Sequence, residues 1–170
     1  MNQDQAAVFD DIVAKGGRLG GPYEAYIRIP RFMRLNQQMG DYLRSTSLTP
    51  RLRLLAALLV IRHWGARFAW ATNAKEAIGA GLGQQIVDAI NHKVRPVMEN
   101  ATDQLVCDLL TELLDKKKIG DEVYWQAAGA LGETVLTDLV VTVGFYGMVC
   151  ATLVSFDIDP PANAEQCLIT

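Results

Sequence analysis

The stretch RLRLLAALLVIRHWGARFAWATNAKEA, from Arg51 to Ala77, decides the fold. Thr49 and Pro50 stand directly before it. A threonine oxygen can accept from the first free helical N–H groups, and the fixed φ of proline suits the first turn. The predicted helix runs to about Trp64, where Gly65 breaks or bends it. A second helix follows from about Ala66 to Gly79, and the AGLG of 80–83 supplies a C-terminal stop. Positions 54, 66, 69 and 73 of this pair succeed one another at intervals of twelve, three and four residues. They hold Leu54, Ala66, Ala69 and Asn73.

Outward from this pair the chain continues to read as helix. Residues 3–15 put Ala7, Val8, Ile12 and Val13 near one face, and Gly16 and Gly17 end the helix. The connector GGRLGGP, 16–22, resembles a phosphate loop only in its glycines, because no Lys-Ser/Thr follows. Pro30 separates a short helix, 23–28, from one at about 31–45. A further helix is predicted over 84–92. The next starts at Asn100 or Thr102, with an apolar stripe of Leu105, Leu109, Leu110, Leu113 and Leu114. Gly120 and Asp121 cap another, carrying Val123, Tyr124, Ala127, Ala128 and Leu131. The last predicted helix spans about 133–156, and the residues after Asp157, with Pro160 and Pro161, read as an irregular tail. No strand alternation and no internal repeat are present. The expectation is an all-α chain with one helical domain over 1–157 and a tail over 158–170.

With 170 residues, half of them hydrophobic, the chain can bury a substantial core in one compact domain. Its net charge of −3 gives no electrostatic footprint for nucleic acid or an anionic membrane. The lysines 116–118 read as a solvated cluster that complements a helix dipole. Cys107, Cys150 and Cys167 are widely spaced and form no C-x-x-C, so neither a dithiol pair nor a zinc set is expected. Cys107 and Cys150 sit in apolar patterns as small hydrophobes, and Cys167 near the tail reads as exposed. The N-terminal residues show no basic and apolar leader pattern, which with the cysteine usage predicts a cytoplasmic protein. From Leu139 to Phe156 there is no charged residue. The flanks are Asp138 and Asp157 without nearby Lys or Arg, which favours a buried helix of an assembly over a membrane span.

The intervals at 54, 66, 69 and 73 resemble the core of the carboxymuconolactone decarboxylase and alkylhydroperoxidase D-like family. Its peroxidase-type members carry Glu, Cys, Cys and His there. The likeness extends to GRLGGP (17–22), to Ile29-Pro30 leading to Tyr42, Leu43 and Arg44, and to Ala77, Ala80 and Leu82 at the helix end. Phe68 and Trp70 match the branch without the cysteines, in which a His stands three residues beyond the Trp. LVVTVGFY (139–146) with Phe156 is similar to the family's C-terminal helix. The resemblance implies an alkylhydroperoxidase D-like helical bundle assembled as a homotrimer or homohexamer. The helix 139–156, which has no charged residue and no polar face, independently suggests a self-association surface.

The resemblance also says which chemistry is missing. A thiol peroxidase needs sulfur at 66 and 69, and alanine cannot enter a thiolate–disulfide cycle. In the decarboxylase branch Trp70 remains, but the His is replaced by Asn73, whose amide can donate a hydrogen bond and cannot shuttle a proton. A cavity lined by Arg62, His63, Phe68, Trp70, Asn73 and Tyr146 would hold a small aromatic or carboxylated compound. Arg62, Trp70 and Phe68 would bind it, and His63, Asn73 and Tyr146 would serve the reaction. Were the helix continuous across Gly65, Arg62 would share a face with Asn73 eleven residues on. Blander roles stand beside these: an Arg62–Glu76 pair, a structural His63, aromatic residues in the core, and one buried hydrogen bond for Tyr146. His92 reads as exposed. The expected function is a cofactor-independent lyase, decarboxylase or isomerase, with no metal or cofactor. The alternative is a catalytically silent relative that binds a ligand or supports an assembly.

Overall fold

The computed structural model describes residues 1–17 and 19–169; Arg18 of the connector and Thr170 of the tail lie outside the described residues. Among these the chain forms nine helices and no strand. They are α1 (Gln3–Ala14), α2 (Tyr23–Tyr26), α3 (Pro30–Arg44), α4 (Pro50–Trp64), α5 (Arg67–Gly79), α6 (Gln84–Asn91), α7 (Ala101–Lys116), α8 (Asp121–Leu131) and α9 (Glu133–Ser155). The all-α expectation holds.

α4 is central because its sequence is apolar around most of its circumference. Leu54, Leu55, Ala56, Ala57, Leu58, Val60 and Ile61 are all buried, and the helix packs against α5, α6, α7 and α9. Thr49 caps it as expected, its side chain accepting from the Leu52 N–H at 3.2 Å. Gly65 ends it at φ 69°, a left-handed conformation that glycine adopts without a Cβ penalty. The chain then turns, Ala66 becomes the N-cap, and α5 folds back along α4. α5 makes that contact with small residues: Ala69, Ala74 and Ala77 are buried beside the large Trp70. Arg51 joins the start of α4 to α7 through Asp103 at 2.7 Å. Asn100 caps α7, accepting from the Asp103 N–H at 2.8 Å.

Two hydrophobic clusters result. The larger runs through α4 to α9, and a smaller one holds Val8, Ile12, Ala25, Tyr26 and Met33 from α1, α2 and α3. The Tyr26 hydroxyl, 3.0 Å from Thr152 Oγ1, is one link between the two. Cys107 and Cys150 are buried and Cys167 is exposed, as expected. Burial pushes the Cys107 thiol up to about 11 and Cys150 up to about 12, so neither offers a thiolate at neutral pH. The tail is irregular yet tied down. The Asn91 side chain donates to the Cys167 carbonyl and accepts from the Ile169 N–H, both at 2.9 Å, and Leu168 is buried.

α9 is long and apolar enough to cross a membrane by length and composition. One face packs on the bundle through Leu136, Leu139, Thr142, Val149, Cys150 and Leu153, while Val140, Val141 and Val154 are exposed. Full burial of this helix does not occur within one chain: α3, α4, α5 and α8 pack on it and leave those valines uncovered.

Asp138 secures α9 to the α3–α4 connector. It is buried, accepting from the Tyr42 hydroxyl at 2.9 Å, the Ser47 hydroxyl at 2.7 Å and the Ser47 N–H at 3.2 Å. Burial alone would push this carboxyl up. The bonds from Ser47 and Tyr42 outweigh it and hold the group below its ordinary value. Its contribution to stability is therefore present above the unfolded pKa of about 3.9 and lost as pH falls through the lower folded value. Asp138→Asn is expected to cost roughly 1–3 kcal/mol at neutral pH. Urea denaturation at successive pH values should show the gap to wild type narrowing below about pH 4.

Candidate functional site

The turn at Gly65 determines which side chains meet. Leu54 on α4, Ala66 at the turn and Ala69 on α5 are all buried, so three of the four frame positions present no reactive group. The face expected for Arg62 and Asn73 on a continuous helix does not form, because α4 stops at Trp64 and α5 starts at Arg67.

α5 instead turns Phe68, Ala69, Thr72, Asn73 and Glu76 toward a cavity of about 760 Å³. The spacing of these residues is that of one helical face. Phe145, Tyr146 and Val149 of α9 form a second wall, Arg53 of α4 a third, and α3 closes the side toward the connector. Phe68 is held there by Gly21. That residue has φ 60°, and an added Cβ would collide with the Phe68 ring. Only glycine fits the connector against this ring.

Asn73 and Tyr146 meet directly. The Tyr146 hydroxyl donates to Asn73 Oδ1 at 3.1 Å, while Asn73 Nδ2 donates to the Ala69 carbonyl at 2.8 Å and to Thr72 Oγ1 at 3.2 Å. The amide is thus anchored to its own helix, with its oxygen aimed at α9. Half-buried Arg53 and Glu76 flank the phenol with opposite charges. Burial pushes the Tyr146 hydroxyl up, and the Glu76 charge adds to this. The Arg53 charge and its hydrogen bond to the phenol oxygen pull the other way without reversing the direction. Tyr146 is a protonated donor at neutral pH.

The other expected site residues lie elsewhere. His63 is exposed, its Nε2 3.2 Å from Lys117 Nζ. Partial burial and the Lys117 charge push its pKa down, leaving a neutral imidazole that accepts from the lysine. Arg62 is half-buried with no partner for Nε, and Trp70 is fully buried with no partner for its indole N–H among the described residues. None of the three lines the cavity. The structure therefore brings together Phe68, Asn73 and Tyr146 and separates Arg62, His63 and Trp70 from them. It adds Arg53 and Glu76. Glu76 follows Asn73 by three residues, a same-face spacing that is a sequence signal; Arg53, in Arg51-Leu52-Arg53 at the head of the apolar run, left none. Among the described residues no group of three or more His, Cys, Asp or Glu could hold a metal ion.

Compared with protein-family models and with curated proteins, the chain matches none.

In difference-absorbance titration, Tyr146→Phe is expected to delete a phenol that ionises above the ordinary value of about 10. Loss of a transition at or below that value would contradict the charge arrangement around Tyr146.

Proposed function

We propose that this chain is a cofactor-independent enzyme, a divergent carboxymuconolactone decarboxylase-like protein acting on a small lactone or aromatic acid by lyase, decarboxylase or isomerase chemistry. The observation that carries this reading is the open cavity on which Arg53, Asn73, Glu76 and Tyr146 converge. Its volume falls within the roughly 300–1,000 Å³ typical of small-molecule sites. A silent relative would be expected to have filled this space with side chains.

Each residue then has a part that matches its environment. Arg53 draws the anionic substrate to the phenol. In a decarboxylation the C–C bond breaks, CO₂ leaves, and the electron pair passes into an enolate. Tyr146 turns its O–H from Asn73 Oδ1 to the substrate carbon and delivers the proton that forms the new C–H bond, and the phenolate left behind is stabilised by Arg53 until solvent reprotonates it. In an isomerisation Glu76 removes the proton that Tyr146 returns. Asn73 is a positioning residue, holding the phenol between substrate and Arg53. The Ala66 and Ala69 pair leaves the family's sulfur route without its sulfur.

One observation favours the silent reading: the Asn73 amide is committed at both ends to protein partners. A ligand-binding or assembly-supporting role would need no more than that. The exposed Val140, Val141 and Val154 face of α9 supports self-association as a trimer or hexamer under either reading.

The test is turnover of a panel of lactone acids and aromatic acids, followed by CO₂ release and absorbance. Tyr146→Phe is expected to lower kcat by about 10²–10⁴ with little change in KM. Arg53→Ala is expected chiefly to raise KM. Full activity in both variants would reject the enzyme reading, and binding without turnover would establish the silent one.

A further inference from the structure

α3 carries a polar residue where its pattern calls for an apolar one. Met33, Asn36 and Leu43 are the buried residues of this helix, and Asn36 is only 1 % exposed. It lines the same cavity, and its Nδ2 has no hydrogen-bond partner among the described residues. A buried amide N–H without a partner is costly, and native proteins rarely keep one. Leucine in this register would extend the apolar stripe without that cost. An asparagine here is explained if its donor is used when the cavity is occupied.

The geometry points to Asn36 as a specificity-determining residue that donates to an acceptor oxygen of the ligand. The cavity then takes a small acid that carries, away from its acidic group, a carbonyl-type oxygen. This inference rests on the small-acid reading given above. An amide N–H donates only, so the group opposite it is an acceptor and not an ammonium or a hydrocarbon. Asn36 is itself neutral and sealed from solvent, which favours an uncharged carbonyl over a second carboxylate. The charged end of the ligand belongs at Arg53, on α4. Of the other cations lining the cavity, Lys15 and Arg44 are paired with Asp11 and Asp41; Arg53, beside the phenol, selects for acidity and the Asn36 amide for a carbonyl.

The α3 helix is packed closely against the connector. Gly17 of the connector packs on Gln37, the neighbour of Asn36; a Cβ there would stand 3.2 Å from Gln37 Nε2 and 2.7 Å from the Ile12 side chain. This packing fixes the helix that carries Asn36 against the connector.

The test uses 4-acetylbenzoate and 4-isopropylbenzoate, which share an acidic end and nearly the same shape and differ in the carbonyl oxygen. Calorimetric titration of the wild-type protein is expected to show about tenfold tighter binding of the acetyl compound, the worth of one buried hydrogen bond. In Asn36→Leu, and in Asn36→Ala as a smaller replacement, that preference should fall to within about twofold. The isopropyl compound should bind Asn36→Leu as it binds wild type. The melting temperature of Asn36→Leu should equal or exceed that of wild type, because an unpartnered donor has been removed. Equal binding of the two compounds to wild type, or a preference that survives both substitutions, would overturn the role of Asn36 and leave the small-acid site standing. Binding of neither compound to wild type would overturn the small-acid reading and this inference with it.

Discussion

The hydrogen bond from the Tyr146 hydroxyl to Asn73 Oδ1 joins the two helices between which the cavity opens. Asn73 can receive it only because its nitrogen is tied to the Ala69 carbonyl and to Thr72, which turns the amide oxygen outward. That arrangement in turn requires α5 to lie back along α4. The left-handed turn at Gly65 and the small side chains of Ala69, Ala74 and Ala77 allow it. A bulkier α5 would stand off from α4 and move Asn73 away from α9. Backbone turn, alanine packing and amide orientation therefore act in series, and the phenol is their end point.

The parts of the fold that were legible in the sequence are those governed by local chemistry. Thr49 and Pro50 mark the start of α4, Gly65 its end, and Asn100 the start of α7, because caps and turns involve residues within one helical turn. The candidate site depended on contacts across the fold, and there the reading divided. Phe68, Asn73 and Tyr146, singled out through the resemblance, line one cavity. Arg62 was placed on a face with Asn73 by extending α4 through Gly65, and His63 was chosen as the one imidazole of that stretch; the helix ends at Trp64, and neither lines the cavity. Asn36 lay in a helix whose role in the cavity could not be seen without knowing that α3 packs on α9.

The four positions at 54, 66, 69 and 73 supply no sulfur and no imidazole to the cavity. Leu54, Ala66 and Ala69 are core residues here, and the thiols of Cys107 and Cys150 are buried away from the cavity. The cavity instead holds a phenol flanked by an arginine and a carboxylate. Such a group moves protons and holds oxyanions; it does not carry a sulfur redox cycle. The uncovered side of α9 adds a second consequence, since the wall that presents Tyr146 to the cavity also presents Val140, Val141 and Val154 outward.

A double-mutant cycle between Asn73→Ala and Tyr146→Phe, read by urea denaturation, measures the junction directly. If the bond orders the site, the two substitutions will couple by about 0.5–1.5 kcal/mol, the value of one hydrogen bond between partly buried groups. Strictly additive losses would mean that Asn73 and Tyr146 act independently, and the geometry of the cavity would then need a different foundation.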